Sequence, residues 1–173
     1  MSESTPVPSQ LRPMGYPDLG LVLAWRNHPE VRLSMYTQHE ITLEEHLRWF
    51  ERALQDPNRH LLIFELHQQP MGFVNFNAAG NGGIADWGFY LAPSSPKGIG
   101  QQLGRAALNH AFSQLKFHKV CGQVLAYNQR SREFHIALGF IEEGCLRDQH
   151  FDGERYHHVN CFGILSNQWH PNK

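Results

Sequence analysis

The sequence predicts a single α/β domain. Three observations predict this class: helical and strand-like segments alternate along the chain, a glycine-rich turn joins a strand to a long amphipathic helix, and the last third contains a strand pair with a tight turn. No internal repeat or low-complexity linker divides the 173 residues, and a hydrophobic content of 41% suffices for one core but not two. We therefore expect the domain over residues 9–170, after a flexible N-terminal tail over residues 1–8.

Helix signals dominate the first third of the chain. A helix is predicted over residues 17–28, and a short second turn follows over residues 29–35. Thr42 caps the next helix, which runs to about Gln55, and Glu45 completes a capping box. The expected apolar face of this helix consists of Leu43, Leu47, Phe50 and Leu54.

Segments typical of strands occupy the remainder. Residues 61–66 and 71–77 are expected to form a hairpin across the polar turn at 67–70. Two further strands, residues 84–91 and 119–126, each lead into a helix. The remaining predicted elements are the helix that begins at the glycines after residue 96, the helix 131–138, and a hairpin of 140–151 with 155–165 across Asp152-Gly153.

Charge and cysteine content limit the partners. The formal net charge is −1, so no global field attracts nucleic acid or an anionic membrane. The longest apolar stretch, residues 19–25, is too short to span a bilayer, and the first ten residues lack the features of a signal peptide. Cys121, Cys145 and Cys161 lie in apolar segments and suggest buried, reduced thiols. We expect a cytoplasmic protein with neither nucleic-acid nor membrane partners.

The 12 histidines show no metal-site spacing. They form neither a His-Glu-x-x-His helix nor a Cys/His quartet of the kind that binds zinc. No bound metal is therefore expected.

Two units after predicted strands carry the functional signal. The first is Pro96-Lys97-Gly98-Ile99-Gly100-Gln101, where backbone N–H groups at a helix start would face an anion such as pyrophosphate. The spacing of its glycines misses the dinucleotide-binding fingerprint by one residue. The second unit places Asn128 and Ser131 before Leu138-Gly139-Phe140.

In order and spacing, these units resemble the GNAT superfamily of N-acetyltransferases. The resemblance covers roughly residues 8–170, and Ser95 stands where the first family motif has Gln or Arg. It implies a single-domain GNAT fold of the α/β (α+β) type. The central sheet would be mixed and mostly antiparallel, splayed between its fourth and fifth strands (residues 84–91 and 119–126), with helices on both faces. It also implies acetyl-CoA as cosubstrate.

The resemblance assigns the cofactor side of the site. Main-chain groups near Phe89 and Leu91 would hold pantetheine, and Asn128 would bond the pantetheine arm from the opposite wall. Asn128 equally suits a helix N-cap, and Lys97 either adds charge to the phosphates or is a solvated loop residue. The expected cofactor-binding residues are Phe89, Tyr90, Leu91, Lys97, Gly98, Ile99, Gly100, Gln101, Asn128, Ser131 and Phe134.

Position 135 departs from the family pattern. Many members have a tyrosine here that protonates the departing CoA thiolate, whereas this chain has His135. His135 either acts as the general acid or is an ordinary packed or surface histidine, in which case Ser131, Tyr90 or water supplies the proton. For the base that accepts the amine proton, Asp86 is the first candidate and Glu45 the second, with solvent as the alternative. Direct transfer in a ternary complex is expected.

The N-terminal third resembles two branches of the superfamily. Residues 25–32 share a segment with ribosomal-protein N-terminal acetyltransferases. Residues 35–46 resemble, more specifically, the aminosugar-nucleotide N-acetyltransferases of the pseudaminic acid pathway, which leads to a flagellar sugar, through the succession Met-Tyr-Thr-x-His, Ile and Leu-Glu-Glu-His. This resemblance implies acetylation of the 4-amino group of UDP-4-amino-4,6-dideoxy-N-acetyl-β-L-altrosamine.

A 6-deoxy sugar and its nucleotide need apolar and cationic contacts. Met35, Tyr36 and Trp49 suit the methyl group and ring face, while Arg26 and Arg32 suit the nucleotide. These side chains also have structural explanations, since aromatic residues pack cores and arginines pair or cap locally. The expected substrate-binding residues are Arg26, Arg32, Met35, Tyr36, His39 and Trp49.

Two other functions stay open at this point. A protein N-terminal acetyltransferase would require a groove open at both ends. A non-catalytic acetyl-CoA-binding protein is supported only by the missing tyrosine. Formation of a homodimer also stays open.

Overall fold

The computed structural model describes residues 9–172, so the predicted tail at 1–8 lies outside the described residues. Two 3-10 turns, Tyr16–Asp18 and Ser166–Gln168, accompany the regular elements. The elements, in order, are β1 (Ser9–Pro13), α1 (Leu19–Asn27), α2 (Pro29–Arg32), α3 (Leu43–Leu54), β2 (Arg59–Leu66), β3 (Gln69–Ala79), β4 (Ile84–Leu91), α4 (Ile99–Ser113), β5 (Lys119–Leu125), α5 (Gln129–Ala137), β6 (Ile141–Phe151) and β7 (Tyr156–Leu165). None of these helices is long and apolar enough to cross a membrane.

All the described strands form one sheet in the order β1-β2-β3-β4-β5-β7-β6. Neighbouring strands are antiparallel except β4 and β5, which run parallel. The parallel pairing joins only residues 84–86 of β4 to residues 119–121 of β5, and the two strands separate beyond it. The expected mixed sheet, splayed between its fourth and fifth strands, is confirmed.

Helices cover both faces of the sheet, as expected, because successive strand residues point to opposite sides. Leu62 and Phe64 of β2 belong to a first core with α4 and α5. Leu61 and Ile63 of the same strand belong to a second core with α1 and α3. We call the side of the sheet that carries the second core and these helices the α1–α3 side.

Strand β1 was not predicted from the sequence. Leu11 is its only aliphatic or aromatic residue besides Pro13, so the segment lacks a strand pattern. It pairs with β2, and tertiary charge contacts hold it there. The Arg12 guanidinium group lies 2.8 Å from Asp18 and 2.6 Å from Glu65.

Two expectations about burial were wrong. On α3, Phe50 is buried as expected, but Leu43 and Leu54 are 61% and 51% exposed, and His46 and Ala53 are buried in their place. The three cysteines are free thiols as expected, but Cys145 is exposed and the other two are only half-buried. Leu43 and Leu54 are the first and last residues of α3, and Cys145 lies on the edge strand β6, whose residues are almost all exposed.

Candidate active site

The end of β4 presents an unpaired backbone edge. The Ala92 N–H group donates to the Met71 carbonyl on the β3 side, whereas the Gly83 carbonyl accepts from the start of β5. Because backbone groups alternate sides along a strand, Phe89 and Leu91 direct their N–H and C=O groups toward β5. The ladder with β5 has already ended there. These donors and acceptors lie where pantetheine binding was predicted.

The start of α4 is an uncapped helix terminus. Gly98 is its N-cap residue with φ of 88°, a left-handed conformation that favours glycine, and no described side chain caps the helix. The first N–H groups of a helix lack intrahelical acceptors, and the helix dipole adds positive potential. A Cβ atom on Gly100 would lie 3.5 Å from Leu91 and 3.6 Å from Phe134, so the glycine turn, β4 and α5 meet here.

The other predicted cofactor residues differ in what they offer. Asn128 caps α5 by accepting a hydrogen bond from the Ser131 N–H group at 3.1 Å through Oδ1, which leaves its Nδ2 group as a donor. Lys97 is exposed and Gln101 half-buried beside the turn. Ile99 is buried in the first core, so its backbone alone is available to a ligand.

His135 does not fit the predicted role of general acid. Its side chain is 2% exposed, its Nδ1 atom lies 2.7 Å from the Ser131 carbonyl, and Trp87 donates a 3.0 Å hydrogen bond to its Nε2 atom. A carbonyl only accepts and an indole N–H only donates, so the proton is on Nδ1 and none is on Nε2. Burial also lowers the pKa of His135. The imidazole is therefore neutral in this structure and has no proton on Nε2 to donate.

The two predicted bases also differ. Glu45 is exposed and completes the capping box of α3, where the Thr42 backbone N–H and hydroxyl hydrogen bonds lower the pKa of the carboxyl group. That position does not support a role as base. Asp86 is the last β4 residue that still pairs with β5, and its side chain is accessible to solvent. Its partly enclosed surroundings raise its pKa. A raised pKa favours proton uptake, so Asp86 stays the candidate.

Several buried polar atoms on the α1–α3 side have no hydrogen-bond partner among the described residues. They are Arg26 Nη1, Arg32 Nε, His46 Nε2 and Asn75 Oδ1. Burial lowers the pKa of Arg26, nearby Tyr90 raises it, and nearby Arg32 lowers it further. Asn75 pairs with Gly88 on β4. Buried polar groups normally find partners, so this concentration indicates a place where a ligand supplies them.

Residues 33–39, which we call the strap, connect this region to β5. The Tyr36 hydroxyl donates a 2.8 Å hydrogen bond to Gln123 Oε1 of β5. Met35 is half-buried in the strap, whereas His39 is exposed and lies 3.3 Å from Glu45. The structure thus brings Arg26 and Tyr36 to the splayed region and leaves His39 in contact with the start of α3.

Trp49 packs into the second core. Its ring stacks on His46 with centroids 5.2 Å apart and meets Phe73 edge-on at 5.9 Å. These contacts account for the side chain without a ligand, so the structural explanation of Trp49 fits better than the predicted substrate contact.

Comparison with known proteins identifies the family. A family model described as an acetyltransferase (GNAT) domain matches residues 10–141. The chain belongs to the GNAT acetyltransferases. Over 119 residues it is 30% identical to acetyltransferase PseH of Campylobacter jejuni. This match covers 68% of this chain and 73% of that protein.

Solved structures share the fold. The crystal structure of spermidine N-acetyltransferase from Vibrio cholerae in complex with CoA and spermine has a TM-score of 0.86 at 23% identity, covering 92% of this chain and 96% of that chain. A dodecameric structure of spermidine N-acetyltransferase from Vibrio cholerae has a TM-score of 0.77 at 23% identity, covering 92% and 94%.

The enzyme class follows from family membership. The protein is an acetyl-CoA-dependent N-acetyltransferase, as the sequence resemblance implied. The open β4 edge and the uncapped α4 start supply the hydrogen-bond donors that pantetheine amides and a pyrophosphate require. Within residues 9–172, no group of three or more His, Cys, Asp or Glu is arranged to hold a metal ion.

Sequence reasoning did not single out several polar residues near the splayed region. His46 and His150 were considered only as metal ligands, and Gln123 and Tyr127 were not considered. The ring of His150 packs 5.2 Å from Tyr36, and its buried Nε2 atom has no hydrogen-bond partner among the described residues. One feature of the sequence could have indicated them: polar and aromatic residues occur in segments that are otherwise typical of strands.

Replacing Gly100 with alanine is expected to weaken acetyl-CoA binding by roughly 10-fold or more, because the added methyl group obstructs close approach to the helix start. The protein itself has room for that methyl group, since its nearest neighbours would be 3.5 and 3.6 Å away. Calorimetry measures the affinity. Gly20→Ala on α1, where nothing lies within 4 Å, is the matched control. Unchanged affinity in a folded Gly100→Ala variant would remove this turn from the cofactor site.

Proposed function

We propose that the enzyme acetylates the 4-amino group of UDP-4-amino-4,6-dideoxy-N-acetyl-β-L-altrosamine in the biosynthesis of pseudaminic acid, a sugar used to glycosylate flagellin. The observation that carries this proposal is the pair of buried, unpartnered guanidinium nitrogens of Arg26 and Arg32 on the α1–α3 side. Planar guanidinium groups bind phosphate oxygens in charge-assisted pairs. A diphosphate-linked sugar supplies such oxygens.

Charge also distinguishes this substrate from a polyamine. Polyamines are polycations and need carboxylates around them, whereas Arg26 and Arg32 form no ion pair with any carboxylate among the described residues. The 30% identity to PseH of Campylobacter jejuni supports the same choice. The likeness to spermidine acetyltransferase, at 23% identity, concerns the fold.

The acetyl group is proposed to pass directly from the thioester of acetyl-CoA to the amine. Asp86 would accept the amine proton. Its side chain alternates with those of Ala85 and Trp87 in the first core, so it points to the α1–α3 side, and its raised pKa favours proton uptake. Backbone N–H groups at Phe89 and Leu91 would stabilise the developing oxyanion. Burial raises the pKa of Cys121 and Cys161, so neither thiol is predisposed to act as a nucleophile.

A protein N-terminus fits this site less well. An extended peptide requires a groove that is open at both ends, and the strap crosses one side of the splayed region. Because the strap limits the opening on that side, a compact acceptor such as a sugar fits the site better than an extended peptide.

The test is a panel of acceptors with acetyl-CoA as the donor. The enzyme is assayed with the UDP-4-amino sugar, with spermidine and with N-terminal peptides, and we expect kcat/KM to be highest for the sugar nucleotide. Initial rates over both substrates should give intersecting lines, which indicate a ternary complex. Preference for spermidine or a peptide would overturn the proposed substrate, and parallel lines would overturn direct transfer.

Self-association and a cytoplasmic location are also proposed. Strand β6 is the sheet edge and exposes Ile141 and Phe151 at 53% and 52%, a surface suited to a second copy. Light scattering on the purified protein tests for the homodimer.

The proposed cytoplasmic location agrees with the proposed substrates, because acetyl-CoA and nucleotide sugars are cytoplasmic metabolites.

A further inference from the structure

Tyr127 ties the strap to the β5 side of the splayed region. It lies two residues beyond the end of β5, and its hydroxyl donates a 2.9 Å hydrogen bond to the Leu33 carbonyl. The same hydroxyl accepts a 3.3 Å hydrogen bond from Gln38 Nε2. One phenol group therefore contacts both ends of the strap.

The strap is also held from the β4 side. Arg26 Nη2, on α1 near Tyr90 of β4, donates a 2.7 Å hydrogen bond to the Thr37 carbonyl. The Asn27 side chain exchanges two hydrogen bonds with the backbone of Ile41, at 2.8 and 2.7 Å. The strap therefore links helix α1 to β5, next to the place where β4 and β5 separate.

The other side of the gap is occupied by packed side chains. Trp87, Phe89 and His135 lie there between the sheet and helices α4 and α5, with ring centroids 4.8 Å apart for Trp87 and Phe89 and 5.5 Å apart for Trp87 and His135. An amine that reaches a thioester held in the gap must therefore approach from the α1–α3 side, beneath or beside the strap.

The β6–β7 hairpin fixes the position of Tyr127. Its ring meets the ring of His157 edge-on with centroids 4.9 Å apart, and His157 Nε2 lies 2.5 Å from Asp152 Oδ2. Asp152 also accepts hydrogen bonds from the backbone N–H groups of Glu154 and Arg155 in the hairpin turn. The phenol is thus held before any ligand binds.

We propose that Tyr127 is a positioning residue that holds the strap in the conformation that orients the amine acceptor. This inference rests on the proposed function only in placing the acceptor on the α1–α3 side. It applies to whichever amine the enzyme acetylates. Tyr127 acts through the strap and contributes no group to the reacting atoms.

The experiment compares Tyr127→Phe with wild type by hydrogen exchange and by kinetics. Without any substrate, amides of residues 33–39 should exchange faster in the variant, because two hydrogen bonds to the strap are lost. With the best acceptor of the wild type, KM for the amine should rise roughly 5- to 10-fold, the effect of one or two hydrogen bonds, while the affinity for acetyl-CoA stays constant.

Two further variants keep the test decisive. Tyr156→Phe changes an exposed tyrosine outside the strap and should leave exchange and KM unchanged. Gln38→Ala removes one of the two hydrogen bonds of the Tyr127 hydroxyl and leaves β5 unchanged. It should raise the exchange rate and KM in the same direction but by less. Faster exchange with unchanged KM would overturn the positioning role, and unchanged exchange would overturn the strap contact itself. Both outcomes are independent of which amine proves to be the substrate.

Discussion

Replacing Arg26 with methionine is expected to lower kcat/KM for the acceptor by roughly 100-fold, because the loss of a charge-assisted contact to a partly buried anion costs about 2–5 kcal/mol. The free energy of unfolding should fall by no more than about 1 kcal/mol, the net value of the lost hydrogen bond from Nη2 to the Thr37 carbonyl. The guanidinium is half-buried with Nη1 unpartnered, and burial lowers its pKa, so the folded state gains little from carrying this charge. Methionine retains most of the apolar stem. Steady-state kinetics and thermal denaturation measure the two effects.

Arg52→Met is the matched control for Arg26→Met. Arg52 lies in the last turn of α3 with an exposed side chain, and the same substitution there should leave acceptor kinetics unchanged. A side chain that serves a ligand lowers activity when removed without lowering stability. If Arg26→Met kept kcat/KM, the proposed contact with the substrate anion would be wrong, and the Arg26 side chain would serve only its hydrogen bond to Thr37.

Local sequence patterns predicted the cofactor half of the fold well. The strand at residues 84–91 matches β4 in full, and the glycine turn was correctly placed at the start of α4. The Thr42 cap and its Glu45 partner were also correct. These features depend on turn chemistry and hydrogen bonds within a few residues, which a single sequence displays directly.

The acceptor half depends on contacts between distant parts of the chain. Tyr36 bonds to a residue 87 positions away, and the Tyr127 hydroxyl bonds to a carbonyl 94 positions away. The residue pattern of one segment contains no information about its contact with the other. The strap could therefore be predicted as an irregular connection rich in potential ligands, but not as a link between α1 and β5.

His135 illustrates the same limit within a recognised motif. Its position in the motif was read correctly, and the substitution for tyrosine suggested retained proton chemistry. Its environment is set by Trp87, 48 residues earlier on β4, and by close approach to Gly122, where a Cβ atom would lie 2.6 Å from Nε2. Burial and the hydrogen-bond partners that fix a tautomer are tertiary properties, so they were not predictable.

Replacing His135 with phenylalanine is expected to lower the free energy of unfolding by about 1–3 kcal/mol, because the Trp87 indole N–H is left buried without an acceptor. Chemical denaturation measures this loss. Adding Trp87→Phe to the His135→Phe variant removes the orphaned donor, so the two losses should not add. Additive losses would show that the hydrogen bond contributes nothing to stability.

The same variant separates a structural from a catalytic role through pH. Burial lowers the pKa of His135, so its stabilising effect is fully present above the ordinary histidine pKa of about 6.5 and is lost as pH falls toward the folded-state pKa. The stability difference between wild type and His135→Phe should therefore narrow below about pH 6.5. The lowered pKa values of His46, His60 and His110 persist in both proteins and cancel in the comparison.

The turnover number of His135→Phe tests directly whether His135 is the general acid. Below the thermal midpoint, kcat of His135→Phe should stay within a few-fold of wild type with the same alkaline limb, because the Nε2 atom carries no proton to donate and Ser131, Tyr90 or water would protonate the thiolate. A fall in kcat of roughly 100-fold in the folded variant, with a shifted alkaline limb, would restore His135 as the general acid. It would also mean that the Trp87 hydrogen bond breaks during turnover.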